Sequence, residues 1–544
     1  MKRRKFIQLS ALSSASSLLL NGHQIKAFSK TDLLNSIPEN IIDGRSLVLV
    51  QLSGGNDGLN TVIPLNQYDT YANLRPTIKI KETGTNAGIP LDSTLAIEDQ
   101  VLLHPSLTAF KSLYDAGKLN IVHGVGYPII NKSHFAARAL MFKGGDGTPE
   151  NVNKSNGWMA RFLHSGYDHE TYADPLGIQL GSQKPSIGFH SEHEHKVDVN
   201  LSGQDISGYY NVISNIGNPV PSNIANSEFG DNVDFISGIE TATNSYSQRI
   251  SEVFNAGSNS TTQYPANSDL GNQLKTVAKM IKGGSKTKIF LVLIDGFDNH
   301  SAQVESANDS HLGKHAELLS DVGDSIKAFQ DDIEALGIED KVVTGTFTEF
   351  GRKPKENGNL GTDHGNLGPM FVIGKHVKGG VTGDNLDLTG IVKHYNESGQ
   401  IQHDYRQVFS TLISDFLGAS PTVLEGTEFQ EFDGSNKLDL IDSSQKVIHG
   451  GELSVNSFVK DKVSVYPNPV GDTCSVKFIS SAMYRGYIVL YNLEGGIAFQ
   501  MQQDFIPGMN VATLVLSHLA EGMYILGIKD NYNKTLSTHK LMKK

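Results

Sequence analysis

Ile289-Phe290-Leu291-Val292-Leu293-Ile294, entered from Lys288, is an unbroken apolar run that ends at Asp295-Gly296-Phe297-Asp298-Asn299-His300. A run of that length stopped by a turn fits a strand buried on both faces of a parallel sheet. Leu47-Val48-Leu49-Val50-Gln51-Leu52, stopped by Gly54-Gly55, reads the same way, and Val342 to Phe347 is a weaker third. Helical spacing of apolar residues fills the gaps, from Leu270 to Ile281 before Gly283-Gly284 and from His311 to Leu336. Strands alternating with helices predict an α/β layered fold. In open sheets of that kind ligands gather at the carboxyl ends of the strands. Three such ends here carry polar groups: Asn56 and Asp57; Asp295, Asp298 and His300; and, beyond Thr348-Glu349-Phe350-Gly351-Arg352, the pair Asp363-His364 between Gly361 and Gly365. Gly54-Gly55-Asn56-Asp57-Gly58 lacks the phosphate-facing glycine fingerprint of a nucleotide site.

The chain has 544 residues, a prior of roughly three or four domains. One cysteine, Cys474, excludes an intrachain disulfide, a cysteine zinc cluster and an iron-sulfur centre. The formal net charge is -12, but the ends are basic: residues 1–26 carry +5 and residues 460–544 carry +3, leaving -20 on the body between them. A body this acidic repels nucleic acid and suits solubility and cation capture.

Both ends read as addresses. Met1-Lys-Arg-Arg-Lys-Phe-Ile-Gln8 followed by the serine-rich apolar run Leu9 to Leu20 makes an export signal, too short and polar to be a permanent transmembrane helix. Arg3, Arg4 and Phe6 resemble the twin-arginine type, with cleavage expected between Gly22 and Phe28. From Val463 the pattern changes to short strand-like runs, Val463 to Pro469, Cys474 to Phe478, Tyr487 to Tyr491, Val511 to Leu516 and Met523 to Ile528, separated by Gly, Pro and Asn turns. That spacing predicts a small all-β, immunoglobulin-like sandwich. Tyr466-Pro-Asn-Pro469, Asn492-Leu-Glu-Gly-Gly496, Pro507-Gly508 with Asn510, Gly522-Met-Tyr524 and Lys543-Lys544 resemble the type A sorting domain of the type IX secretion system. The resemblance implies passage across the outer membrane of a bacterium of the Bacteroidetes type, with the protein released or surface-attached.

Carboxylate oxygens suit hard divalent metals, and zinc or manganese accepts imidazole as well, so Gly-flanked Asp and His residues can hold a cation. Two cations about 3.5–4 Å apart would clamp the attacking and leaving oxygens of a phosphoryl transfer. Gln51-Leu-Ser-Gly-Gly-Asn-Asp-Gly-Leu-Asn60, Asn131-Lys-Ser-His-Phe-Ala-Ala137, Asp295 to His300 and Thr348 to Arg352 through Gly361 to Gly365 resemble the alkaline phosphatase and sulfatase superfamily. More closely, they resemble its exported member named domain of unknown function 1501. The resemblance implies an alkaline phosphatase-like α/β/α sheet holding divalent metal ions, whether zinc, manganese, magnesium or calcium. Carried over, Asp57, Asp363 and His364 would share one cation, and Asp295 or Asp298 with His300 would serve the second. The superfamily places three residues between that Asp and His, whereas here the gap is four from Asp295 or one from Asp298. His403, ahead of His376 and His394, is the candidate for a further histidine ligand, and Ser133 is the candidate nucleophile. Ser133 stands before an apparently helical Phe135 to Phe142, where a simple N-cap is the equal alternative. Sulfatase chemistry is disfavoured, because Ser133 lacks the following Pro of the modification motif and Cys474 lies in the tail.

Asn56, His134 and Arg352 are candidates for substrate contact, Arg352 by bidentate hydrogen bonds to an anion. His190-Ser-Glu-His193-Glu-His195 reads as a polar loop and Trp158 as core. The expected organisation is a signal at 1–26, a linker at 27–45, an α/β domain at 46–420 with an irregular excursion at 203–257, a linker at 421–459 and a sorting domain at 460–544. The expected activity is metal-dependent hydrolysis of a small anionic phosphate or related ester. The alternative is a non-catalytic surface protein that binds a partner or a glycan. Partners are the export and type IX machinery, with no nucleic acid.

Overall fold

The structure is a computed structural model that describes residues 18–20, 23–28, 44–149, 156–167, 174–181, 187–189, 196–197, 249–366, 368–388, 401–444, 446–447, 464–480, 484–492, 496–505, 508–529 and 535–544. His190, His193, His195 and His394, most of the stretch 203–257 and most of the N-terminal address lie outside the described residues. The chain divides into two compact units, the larger ending at Val447 and the smaller containing 464–544.

The larger unit is built on one mixed sheet. Its strands are β1 (Leu18–Leu20), β2 (His23–Phe28), β3 (Ser46–Ser53), β4 (Leu119–Gly126), β5 (Gly177–Leu180), β6 (Ile289–Asp295) and β7 (Val342–Phe347). A hairpin, β8 (Arg352–Glu356) and β9 (Thr362–His364), stands outside the sheet, which also contains β10 (Gly368–Ile373), β11 (Gly380–Thr382) and the two-residue strands Lys196–Val197 and His403–Asp404, paired with β2 and β4. The spatial order is β1-β2-β5-β6-β3-β7-β10-β4-β11, with β5, β6, β3 and β7 parallel and β10 antiparallel to both its neighbours. The two apolar runs therefore lie side by side, Ile294 opposite Leu52 and Asp295 opposite Ser53. Leu47, Val48, Leu49 and Val50 are 0% exposed, as a strand covered on both faces requires. Each such side chain contributes roughly 2 kcal/mol of burial.

Helices α1 (Tyr68–Leu74), α2 (Thr108–Asp115), α3 (His134–Lys143), α4 (Trp158–Gly166), α5 (Asp269–Lys282), α6 (Lys314–Ala335), α7 (Tyr405–Thr411) and α8 (Pro421–Thr427) complete the main elements of this unit. Ser268 caps α5 by accepting from the Gly271 N–H, and the helix ends at Gly283. Leu270, Leu274, Val277 and Ile281 of α5 join Leu319, Val322, Ile326, Phe329 and Ile333 of α6 in one core with Val48, Val50, Phe290 and Val292. Trp158 is a core residue, stacked on Phe409 at 4.9 Å. Among the described residues no helix is long and apolar enough to cross a membrane.

The smaller unit has two antiparallel sheets. β12 (Ser464–Tyr466), β13 (Thr473–Ser480), β14 (Tyr484–Tyr491), β15 (Ile497–Phe505), β16 (Gly508–Val515), β17 (Gly522–Lys529) and β18 (Thr535–Lys543) pair in the orders β12-β13-β16 and β15-β14-β17-β18. Val476, Phe478, Ile488, Leu490, Leu514 and Leu526 form its core, with buried Cys474 as a small apolar residue. The sequence reading has no strand at β15 or β18. Both lie at sheet edges and carry polar residues between their apolar ones, so neither shows an apolar run.

Candidate functional site

The site forms where the turns after β6 and β7, the hairpin β8–β9 and the start of α3 meet. Gly54 and Gly55 make the close approach possible. Gly54 has φ +119, and a Cβ there would lie 2.3 Å from the Asp298 nitrogen; Gly55 has φ +82, and its Cβ would meet the Phe350 ring at 2.7 Å. Only glycine accommodates both demands.

Three imidazoles converge on one carboxylate. His134 Nε2 lies 3.3 Å from Asp298 Oδ2, while His300 Nε2 and His364 Nε2 lie 3.2 and 3.3 Å from Asp298 Oδ1. His300 Nε2 and His364 Nε2 are 2.8 Å apart. The ligand atoms of His134, Asp298 and His364 lie within 4.8 Å of one another. Each ring faces a hydrogen-bond acceptor with its other nitrogen: His134 Nδ1 faces Glu349 Oε1 at 2.9 Å, His364 Nδ1 faces the Lys132 carbonyl at 2.7 Å, and His300 Nδ1 faces Asp363 Oδ1 at 3.3 Å. A carbonyl or ionised carboxylate only accepts, so each Nδ1 can donate to its partner while the three Nε2 atoms face Asp298. His134 Nε2 is buried without a hydrogen-bond partner. Phe350 packs against His134 and His364, with ring centroids 4.8 and 4.6 Å away.

Arginines fix the surroundings. Arg352, 4% exposed, donates to the carbonyls of Gly54, Gly55, Phe297 and Thr362 and to Asp298 Oδ1 at 2.8 Å. It binds three turns together, and its burial takes it out of reach of a substrate. Burial alone would raise the Asp298 pKa, but the Arg352 hydrogen bond and charge outweigh it and hold the group at about 2. His134 is raised, first by its hydrogen bond to Glu349, whereas burial lowers His364. Asp363, which also takes Lys353 Nζ at 3.1 Å, is lowered, as Lys353 and Asn357 outweigh its desolvation.

The structure brings together Asp298, His300, His364 and His134, with Asp363 behind His300. It does not bring Asp57 to them. Asp57 is 2% exposed, and its two oxygens take Arg75 at 2.6 and 2.9 Å and Gln303 at 2.5 Å. Arg75 also donates to the carbonyls of Lys353 and Pro354, so this buried pair supports the hairpin that carries Asp363 and His364. Asn56 is 0% exposed beside Thr61 and His315. Asp295 is exposed at the end of β6. His403 sits on a two-residue strand next to Val125 of β4, and burial lowers its pKa; His376 faces the Asp340 carbonyl at 3.1 Å. Ser133 is exposed at the N-cap position of α3, and its side chain makes no cap hydrogen bond. The sequence reading named His134 as a substrate contact and did not single out Glu349 as a site residue; the structure sets His134 between Asp298 and buried Glu349. The alternation Ser133-His134 at a helix start and the buried acid directly after β7 were the available signals.

The fold and this site define an α/β protein with a histidine-rich polar centre, followed by a small all-β tail. Residues 247–399 match the family described as Protein of unknown function (DUF1501), and residues 464–544 match the Secretion system C-terminal sorting domain. The chain therefore carries a DUF1501 segment and a type IX sorting domain, and it is secreted or attached at the cell surface through that system. Asp298, His300, Asp363 and His364 fall inside the DUF1501 match, while Ser133 and His134 precede it. No curated protein matches the chain. A solved structure of Ps i-CgsB in complex with k-i-k-neocarrahexaose aligns over 87% of this chain and 87% of that one, at 10% identity and a TM-score of 0.29.

Proposed function

We propose that this secreted protein binds one divalent cation through His134, His300, His364 and Asp298, and uses it to hydrolyse a small anionic ester. The observation that carries the reading is the convergence of three Nε2 atoms on one carboxylate while every Nδ1 faces an acceptor. Imidazoles backed by carboxylates or carbonyls are the usual surroundings of a bound transition metal, and three nitrogens with one oxygen suit zinc. A bound cation would act as a Lewis acid on an ester oxygen. Ser133, adjacent in the chain to His134, would offer its hydroxyl as nucleophile. With a divalent cation, the formal charges of Asp298, Glu349, Asp363, Arg352 and Lys353 leave the centre net positive, which favours an anionic substrate. With Asp57 engaged by Arg75, the reading takes one cation where the superfamily resemblance implied two.

That same engagement of Asp57 favours the second reading, a surface protein that binds a glycan or partner without turnover. An aryl phosphate and aryl ester panel with the zinc- or manganese-loaded protein separates the two. Metal-dependent turnover lost in Ser133→Ala supports hydrolysis. Stoichiometric metal binding without turnover on any ester supports the binding protein.

A further inference from the structure

Beside Glu349, the partner of His134, lies a cavity of about 20 Å³ whose lining also includes Tyr127, Met141, Phe350 and Asn366. Glu349 and Tyr127 are each 1% exposed. Glu349 Oε2 and Asn366 Oδ1 have no hydrogen-bond partner among the described residues, and the Tyr127 hydroxyl, next to the Asn131 backbone, finds no acceptor there for its proton. Glu349 uses its other oxygen, Oε1, for His134 Nδ1 and the Gly54 N–H, both at 2.9 Å. Leaving the second oxygen of a buried carboxylate unpaired is costly, and a cavity of this size has room for a single water.

The three atoms match what one water offers. A carboxylate oxygen and an amide oxygen only accept, whereas a phenol donates; a water donates twice and accepts. We propose that one ordered water is a built part of the site, donating to Glu349 Oε2 and Asn366 Oδ1 and accepting from the Tyr127 hydroxyl. Tyr127 and Asn366 are then positioning residues: they hold Glu349, which holds the tautomer and orientation of His134. Burial, helped by the charge of Glu349, raises the Tyr127 phenol against the opposing hydrogen bond with the Asn131 backbone and keeps it protonated and able to donate. The water itself stands independently of the cation, and only its effect on His134 as a ligand rests on the proposed function.

The test has two arms. A high-resolution crystal structure of the metal-free protein should show one well-ordered water within hydrogen-bond distance of all three atoms. A dry cavity, or a Tyr127 hydroxyl bonded directly to Glu349, overturns the proposal. In solution, Tyr127→Phe should weaken zinc binding by about 10-fold with an unchanged circular dichroism spectrum. That effect should vanish in the Glu349→Gln background. A full effect persisting in that background shows that Tyr127 does not act through Glu349 and overturns the positioning role. If the wild type binds no zinc, the cation reading fails, and the density in the metal-free crystal alone decides the water.

Discussion

His300 Nε2 and His364 Nε2 face each other at 2.8 Å, each on a ring whose Nδ1 is committed to an acceptor. Two lone pairs at that distance repel unless a proton or a metal cation lies between them. The ligand rings and the groups behind them then differ in consequence. His364→Ala removes a donor and should abolish zinc binding, whereas Asp363→Ala leaves every donor in place, takes away the group behind His300 and should weaken it about 10- to 100-fold. Isothermal titration of both variants checks this order, and equal effects would contradict it.

The buried Asp57–Arg75 pair makes a separate prediction. Both side chains are nearly inaccessible, at 3% and 0%. Arg75→Met leaves a buried carboxylate without its cation and should cost about 3–5 kcal/mol. Urea unfolding of the metal-free protein measures it; a loss below about 1 kcal/mol would assign the pair little weight in the fold.

Gly54→Ala should disturb both fold and site, because the new methyl would meet the backbone of Asp298 at a strained φ. Gly117, also at positive φ but with nothing within 4 Å of a Cβ, is the control. Gly117→Ala should lose only about 1 kcal/mol, and Gly54→Ala should lose more and bind zinc poorly.

Stability should fall on mild acidification. Burial pushes His123 and His315 down to about 4, below the 6.5 expected when unfolded. Between those values the unfolded chain takes up protons that the native chain refuses, so the stability present above pH 6.5 is lost as pH falls toward 4. Each histidine contributes roughly 3 kcal/mol to that loss. Urea midpoints of the metal-free protein at pH 7 and 4.5 should differ accordingly, and His315→Gln should narrow the difference. Equal midpoints at the two pH values would contradict the account.

The strands β3 and β6 were legible in the sequence because double-sided burial demands the continuous apolar runs at Leu47 and Ile289. β4 was not, although all eight of its residues are buried, since Asn120 and His123 interrupt the run. At the site, the turn from Asp298 to His300 and the pair Asp363-His364 stood out by their glycine-flanked spacing. Asp57 looked equivalent, yet a strand-end carboxylate reads the same whether it faces a cation or an arginine, and Arg75 reaches it from the end of α1. Pairings such as His134 with Glu349, 215 residues apart, exist only in the folded chain.

Metal stoichiometry tests the central claim most directly. After equilibrium dialysis against zinc, elemental analysis should find one tightly held ion per chain, and none in Asp298→Ala or His364→Ala. No bound metal in the wild type, or undiminished binding in both variants, would contradict the assignment of His134, His300, His364 and Asp298 as a cation site.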